Sequence, residues 1–93
     1  MDAAELRKRL TQNLLEEIEE VQFPSVTMMN RVESALGTQE DLADYIEVLV
    51  EKVEATHYPS ISMLNRLDGL LDQLEQAEQR QQLAAAQSNG GRG

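Results

Sequence analysis

The sequence contains one segment twice, and this internal repeat restricts the possible folds more than any other feature. The segment FPSVTMMNRVESAL, which begins at Phe23, returns as YPSISMLNRLDGLL, which begins at Tyr58. Across the longer stretches 14–36 and 49–71 the offset is constant at about 35 residues, and the alignment needs no gap. A constant offset over this length indicates a duplicated supersecondary unit within one small domain of 93 residues.

Each copy has the apolar spacing of two helices that are joined at a proline corner. Apolar residues recur with the period of an amphipathic helix. Pro24 and Pro59 interrupt this period, because the residue before a proline avoids the α conformation. A serine after each proline can accept a hydrogen bond from the first turn of a new helix. The predicted helix caps are Asp2, Ser25 and Thr38.

We predict an all-α protein built from two tandem αα-hairpin repeats that form a four-helix up-down bundle. The duplicated domain covers residues 1–75, with the first copy at 3–37 and the second at 38–75. The fourth helix is predicted to extend beyond the core as a polar helical extension over 76–87. Residues 88–93 are predicted to be a disordered tail.

The apolar positions define a predicted core. On the third helix these are Leu42, Tyr45, Ile46, Leu49 and Val53, and on the fourth they are Ile61, Leu64, Leu67, Leu71 and Leu74. Gly37 is predicted to close the second helix in the left-handed conformation. The rings of Phe23 and Tyr58 are predicted to plug the ends of the two hairpins. The alternative is that these aromatic residues are exposed and used in binding.

The charge of the chain restricts its partners. With 17 acidic and 8 basic residues the formal net charge is −9, which repels nucleic acid and anionic lipid. We therefore predict no direct nucleic-acid binding, no membrane association and a basic protein partner.

The stretch GTQEDLADYI resembles the opening helix of helix-turn-helix repressors, but the predicted helix continues through 48–50, where those repressors turn. The chain has no cysteine and no signal-like segment, so a cytoplasmic protein is expected.

No pattern of catalytic, cofactor-binding or metal-ligating residues stands out in the sequence. His57 is the single histidine, and it is predicted to be a turn residue. Carboxylates are abundant, but their spacing predicts outward rows instead of a convergent pair in a cleft. We therefore expect a protein that is not an enzyme and that needs no cofactor and no metal.

Acidic residues are the candidates for binding a partner. Five carboxylates recur at helical spacing on the third helix and predict one acidic row about 20 Å long. They are Glu40, Asp44, Glu47, Glu51 and Glu54. The first helix has its glutamates near its end, where the helix dipole disfavours them, and this suggests another role for them. The predicted partner-binding residues are Glu16, Glu20, Glu40, Asp44, Glu47 and Glu51. A merely solvated outer face is the alternative.

Both copies also keep an arginine at the same position, Arg31 in the first and Arg66 in the second. The favoured interpretation is an ion pair between helices that sets their register, Arg31 with Glu19 and Arg66 with Glu54. The alternative is an arginine that binds a carboxylate or phosphate of a partner.

These patterns predict a non-enzymatic interaction or scaffold protein that presents acidic helix faces to a basic partner. The alternative is an acidic decoy or regulator that occupies a nucleic-acid-binding protein. A homodimer is expected, because the short second helix would leave apolar surface uncovered in a monomer. Met28, Met29 and Met63 are the predicted adaptable contacts of that dimer.

Overall fold

The chain folds into an all-α bundle of four helices. The computed structural model describes the backbone of residues 2–90 and the side chains of residues 2–85. Over this range there is no strand, and the helices are α1 (Ala3–Glu20), α2 (Val26–Ala35), α3 (Gln39–Glu54) and α4 (Ile61–Gly90). Helix α1 packs against α2 and α3, and α3 packs against α4. The predicted all-α four-helix bundle is confirmed.

The two proline corners start their helices in the same way. Ser25 Oγ accepts a hydrogen bond from the N–H of Met28 at 3.1 Å, and Ser60 Oγ accepts one from the N–H of Met63 at 3.0 Å. Each bond satisfies an N–H group that the first helical turn leaves without a carbonyl partner. The serine after each proline therefore determines where α2 and α4 begin.

The link between α2 and α3 differs from the predicted one. Gly37 does not adopt the left-handed conformation. Instead, Leu36 is extended, with φ −67° and ψ 124°, and it ends α2. The N–H of Gly37 donates to the Asp41 carboxylate at 3.3 Å, and the N–H of Asp41 donates to Thr38 Oγ1 at 3.0 Å. The predicted Thr38 cap is confirmed, and the bond that the Asp41 carboxylate accepts from Gly37 stabilises a link that needs no left-handed residue.

One apolar core holds the helices together. Its buried members are Ile18, Met29, Val32, Tyr45, Ile46, Leu49, Leu67 and Leu70. The predicted buried face of α3 agrees with this core, because Tyr45, Ile46 and Leu49 are buried and both Leu42 and Val53 pack against them. Burial of such side chains stabilises a small domain by about 1.5–3 kcal/mol each.

The buried face of α4 is rotated from the predicted one. Leu67 and Leu70 are buried, whereas Leu64 and Leu71 are 38% and 37% exposed and Ile61 is 70% exposed. The apolar residues of α4 contain two overlapping stripes at the spacing of three and four, and both stripes include Leu67. Spacing alone cannot choose between such stripes, and the packing of α3 against α4 makes the choice.

Three methionines, Met28, Met29 and Met63, contribute to the core. Met29 is 4% exposed, and Met28 and Met63 are partly buried against the core. Their role as adaptable contacts of a dimer stays a prediction. Leu64, which is the equivalent of Met29 in the second copy, is largely outside the core. The equivalence of the two hairpins stays a prediction.

Helix α4 continues well beyond the core. It includes the predicted extension at 76–87 and runs to Gly90, into the first residues of the predicted tail. Every side chain over 78–85 is exposed. The last part of that tail, 91–93, lies outside the described residues. Although α4 has 30 residues, neither it nor another helix of the described chain is apolar enough to cross a membrane.

Helices α1 and α3 lie side by side and run in the same direction. Lys52, near the end of α3, donates from Nζ to the carbonyl oxygen of Glu19, near the end of α1, at 2.8 Å. Lys8 and Asp41, near the starts of the same helices, line one cavity. Because α1 and α3 end together, the two proline corners that follow them lie at the same end of the bundle.

Candidate functional site

The candidate site is an acidic groove between α1 and α3. Its lining residues are Gln12, Leu15, Glu16, Glu19, Asp44, Glu47, Val48 and Glu51. The groove has a volume of about 520 Å³, and no lysine or arginine lines it. Leu15 and Val48 are partly buried and supply its apolar surface, whereas all of its carboxylate side chains are exposed.

Helical spacing explains why carboxylates gather in this groove. Glu16 and Glu19 lie three residues apart on α1, and Asp44, Glu47 and Glu51 follow at intervals of three and four on α3. Residues at these intervals share one face of a helix. Since α1 and α3 are parallel neighbours, their acidic faces border the same groove. The like charges repel one another when no ligand is bound, and a cationic ligand would relieve that repulsion.

The structure brings four of the six predicted partner-binding residues into this groove. They are Glu16, Asp44, Glu47 and Glu51. Glu40 lies outside it and lines a neighbouring cavity of about 490 Å³. Glu20 is exposed at the end of α1. Glu19, which the sequence assigns to a structural ion pair, is instead one of the groove residues.

The neighbouring cavity gives a physical reason for the charge order of α1. Arg7 and Lys8 line it together with Glu40, Asp41 and Asp44 from the start of α3. The helix dipole disfavours basic residues at the start of α1 by a few tenths of a kcal/mol each. The acidic start of α3 offsets that cost, because the parallel arrangement places it beside these bases.

The predicted partner of Arg66 is replaced by a different one. Arg66 Nη1 on α4 donates to Glu33 Oε2 on α2 at 2.6 Å and to Asn30 Oδ1 at 3.2 Å. The sequence predicts Glu54 as the partner, but Glu54 is exposed on α3. Arg66 and Glu33 keep only 20% and 25% of their side-chain surface in solvent. Their ion pair therefore links α2 to α4 at the margin of the core.

The other predicted pair, Glu19 with Arg31, is not among the ion pairs of the described residues. Both side chains are exposed. The Glu19 carboxylate lies in the acidic groove, and its backbone carbonyl accepts the bond from Lys52. An exposed pair is worth only about 0–1 kcal/mol, so the fold has little need of it.

Tyr45 connects α3 to the ion pair that Arg66 and Glu33 form between α4 and α2. Its side chain is fully buried, and its hydroxyl donates to Glu33 Oε2 at 2.6 Å. Burial raises the pKa of Tyr45, the hydrogen bond to Glu33 raises it further, and the charge of Arg66 lowers it in part. The hydroxyl therefore stays protonated, and one carboxylate oxygen joins α2, α3 and α4.

The aromatic rings of the two corners are exposed. Phe23 is 69% exposed and Tyr58 is 93% exposed, so the predicted plug is wrong and the alternative, an exposed aromatic, describes the structure. The residue before a proline avoids the α conformation, and at both corners its ring lies outside the core. Both rings line one corner cavity of about 240 Å³. Its lining residues are Gln22, Phe23, Pro24, Lys52, Val53, Thr56, Tyr58, Pro59, Ser60 and Met63.

Histidine and carboxylate side chains form no metal-binding group in the part of the chain that the structure describes. His57 lies in the bend before α4, and its ring centroid is 6.4 Å from that of Tyr58. The acidic groove is open to solvent along its length, and its carboxylates are spread over two helices. This arrangement suits a long ligand that carries several positive charges.

No protein-family model, no curated protein and no solved structure matches this chain. Its function is therefore inferred from the shape and charge of the acidic groove.

Proposed function

We propose that this protein is a non-enzymatic interaction or scaffold protein whose acidic groove binds a basic segment of a partner protein. One observation carries the proposal: carboxylates from two parallel helices line a single groove that contains no basic side chain. A segment rich in lysine or arginine would meet carboxylates from both helices at once. Leu15 and Val48 would contact the methylene stems of its long side chains.

The net charge supports the same class of partner. At −9 the whole molecule attracts cations over a distance, and the groove concentrates that attraction on one surface. Such attraction speeds the encounter with a basic protein and disfavours acidic ones. At physiological ionic strength salt largely screens the attraction between exposed charges that are more than about 8 Å apart. Binding in the groove is therefore expected to depend strongly on salt.

The proposal is tested with a dye-labelled oligolysine peptide as the probe. Fluorescence anisotropy should show that the protein binds this peptide at about 0.05 M salt and binds it about 10-fold more weakly at about 0.2 M salt. An oligoglutamate peptide of the same length is the control and should not bind. Absence of oligolysine binding at low salt, or binding that ignores salt, would contradict the proposal.

The proposal includes a homodimer. Leu64 and Leu71 form an exposed apolar stripe on α4, and burying it against a second copy would remove apolar surface from water. Light scattering at micromolar concentration should then give twice the chain mass of 10.4 kDa. A mass equal to one chain would rule out the dimer while leaving the acidic groove as a binding site.

A decoy for a nucleic-acid-binding protein is the second candidate. The row of exposed carboxylates along α3, from Glu40 to Glu54, favours it, because such a row can imitate the charges of a phosphate backbone. Competition distinguishes the two candidates. A decoy releases its basic target from DNA, whereas a scaffold binds its partner without displacing the partner's DNA.

A further inference from the structure

We propose that the corner cavity receives one large apolar side chain of the same basic segment that lies in the acidic groove. This inference rests on the proposed function, because the groove is what holds the segment in place. The two exposed aromatic rings that line the cavity carry it, and each has an exposed β-branched residue three positions further along the chain. Phe23 and Val26 at the first corner are 69% and 54% exposed, and Tyr58 and Ile61 at the second are 93% and 70% exposed.

The fold itself does not use these side chains. Each copy of the repeat has an aromatic residue before its proline and a β-branched residue after its serine, yet none of the four belongs to the core. The cap bond that begins each helix is accepted by the serine and involves none of these four side chains. Packing within the chain therefore does not account for the apolar character of the corners. Exposed apolar side chains that are grouped in this way mark an interaction surface.

The acidic groove leads directly to the corner cavity. A third cavity of about 290 Å³ shares Glu19, Val48 and Glu51 with the groove, and it shares Gln22 and Lys52 with the corner cavity. The three cavities thus form one continuous path along α1 and α3. A segment that occupies the groove and continues in the same direction reaches both aromatic rings.

Charge identifies the occupant as basic. Glu20 and Glu54 end α1 and α3 beside the corners, and Glu51 lies one turn before the end of α3. The ammonium group of Lys52 is already bound to the carbonyl oxygen of Glu19 at 2.8 Å. A second copy of the chain in a two-fold contact here would bring these carboxylates against their own counterparts. A basic segment instead meets them with opposite charge.

The volume and the lining of the corner cavity indicate which part of the basic segment enters it. The corner cavity has a volume of about 240 Å³, whereas pockets for drug-sized ligands begin at about 300 Å³. It is therefore suited to a single large side chain. The rings of Phe23 and Tyr58 favour an aromatic guest, because aromatic pairs attract each other beyond what the burial of their area provides.

The test compares two oligolysine peptides that differ at one central position, tryptophan in one and alanine in the other. The protein contains no tryptophan, so fluorescence from indole reports on the peptide alone. We expect the tryptophan peptide to bind about 10-fold more tightly, with its emission shifted to shorter wavelength as the ring leaves water. In a Phe23→Ser/Tyr58→Ser variant both peptides should bind alike, at the affinity of the alanine peptide for the wild type.

Leu6→Ser is the matched control, because Leu6 is 50% exposed near the start of α1 at the opposite end of the bundle. This variant should keep the full preference for tryptophan. Circular dichroism checks the helical content of each variant. If the double variant loses helix, Tyr58→Ser alone takes its place, since that side chain is almost entirely in solvent.

Four results would overturn the inference. Two of them are equal binding of both peptides to the wild type and a tryptophan preference that persists without Phe23 and Tyr58. Either one contradicts the binding role of the corner cavity but not the proposed function. Absence of binding by either peptide removes both proposals. A dimer that dissociates only in the double variant assigns the corners to a second copy of the chain.

Discussion

Replacing Glu16, Glu47 and Glu51 with glutamine is expected to weaken the binding of oligolysine about 30-fold at low salt. The three residues come from both sides of the acidic groove, and all three are exposed. Each exposed carboxylate that pairs with a lysine contributes up to about 1 kcal/mol, so three of them account for about 2 kcal/mol. Fluorescence anisotropy with the labelled peptide measures the change. Because the substitutions are isosteric and solvent-facing, the fold should be unaffected.

A second triple variant distinguishes binding in the acidic groove from attraction by the net charge of the protein. Asp72→Asn, Glu75→Gln and Glu78→Gln lie on the exposed surface of α4 and reduce the same formal charge of −9 by the same amount. Long-range attraction changes equally in the two variants. The α4 variant should therefore bind within about 3-fold of the wild type. If both variants lose affinity equally, the protein attracts the peptide by net charge alone and the groove has no special role.

Tyr45→Phe is expected to lower the free energy of unfolding by about 2 kcal/mol at neutral pH, because a buried hydroxyl loses its hydrogen bond to a charged group. The hydroxyl of Tyr45 lies 2.6 Å from Glu33 Oε2, which also binds Arg66. Tyr58→Phe is the same substitution at the other tyrosine, which is 93% exposed, and it should change stability by less than about 0.5 kcal/mol. Urea denaturation followed by circular dichroism measures both.

The same bond predicts a loss of stability in alkaline solution. Burial and the hydrogen bond to Glu33 raise the pKa of Tyr45 in the folded protein above its unfolded value of about 10. Above that pH the unfolded chain loses the Tyr45 proton and the folded protein keeps it. Stability from this residue is therefore complete below about pH 10 and falls as the pH rises further. The difference in free energy of unfolding between the wild type and Tyr45→Phe should narrow above about pH 10. A difference that does not change with pH would contradict the assigned bond.

Local features of the fold were predictable from the sequence. Ser25 and Thr38 cap their helices because the physics of a cap involves only a few neighbouring residues, which the sequence displays directly. The face of α3 that carries Tyr45 and Leu49 was predictable for a similar reason, since a single apolar stripe has one orientation. The acidic row of α3 followed from helical spacing.

Features that depend on which helices are neighbours were not predictable. The acidic groove needs α1 and α3 to lie in parallel, and no pattern along the chain states that. Glu33 gave no signal because its polar partners, Tyr45 and Arg66, are on other helices. Thr11 is buried and donates to the carbonyl oxygen of Ala35 at 3.0 Å, a partner 24 residues away in the sequence. Such contacts are set by the tertiary arrangement.

The prediction that the rings of Phe23 and Tyr58 are buried is wrong for a different reason. Large aromatic side chains are usually well buried, and this tendency predicts a place in the core for Phe23 and Tyr58. Each proline limits the conformation of the residue before it, and here both rings remain in solvent. A residue that contradicts a sound local rule is often one that serves binding, and this is the role that the corner cavity gives to both rings.

The central claim is that a basic segment lies between α1 and α3, and an NMR titration of the isotope-labelled protein with oligolysine tests it most directly. We expect the largest chemical-shift changes at the amides of Leu15, Glu16, Glu47 and Val48, with changes that saturate together and decrease in high salt. Amides over 72–78 on α4 should move little. Chemical-shift changes of equal size on the acidic surface of α4 would contradict the claim. So would a titration in which the amides of the groove residues do not change.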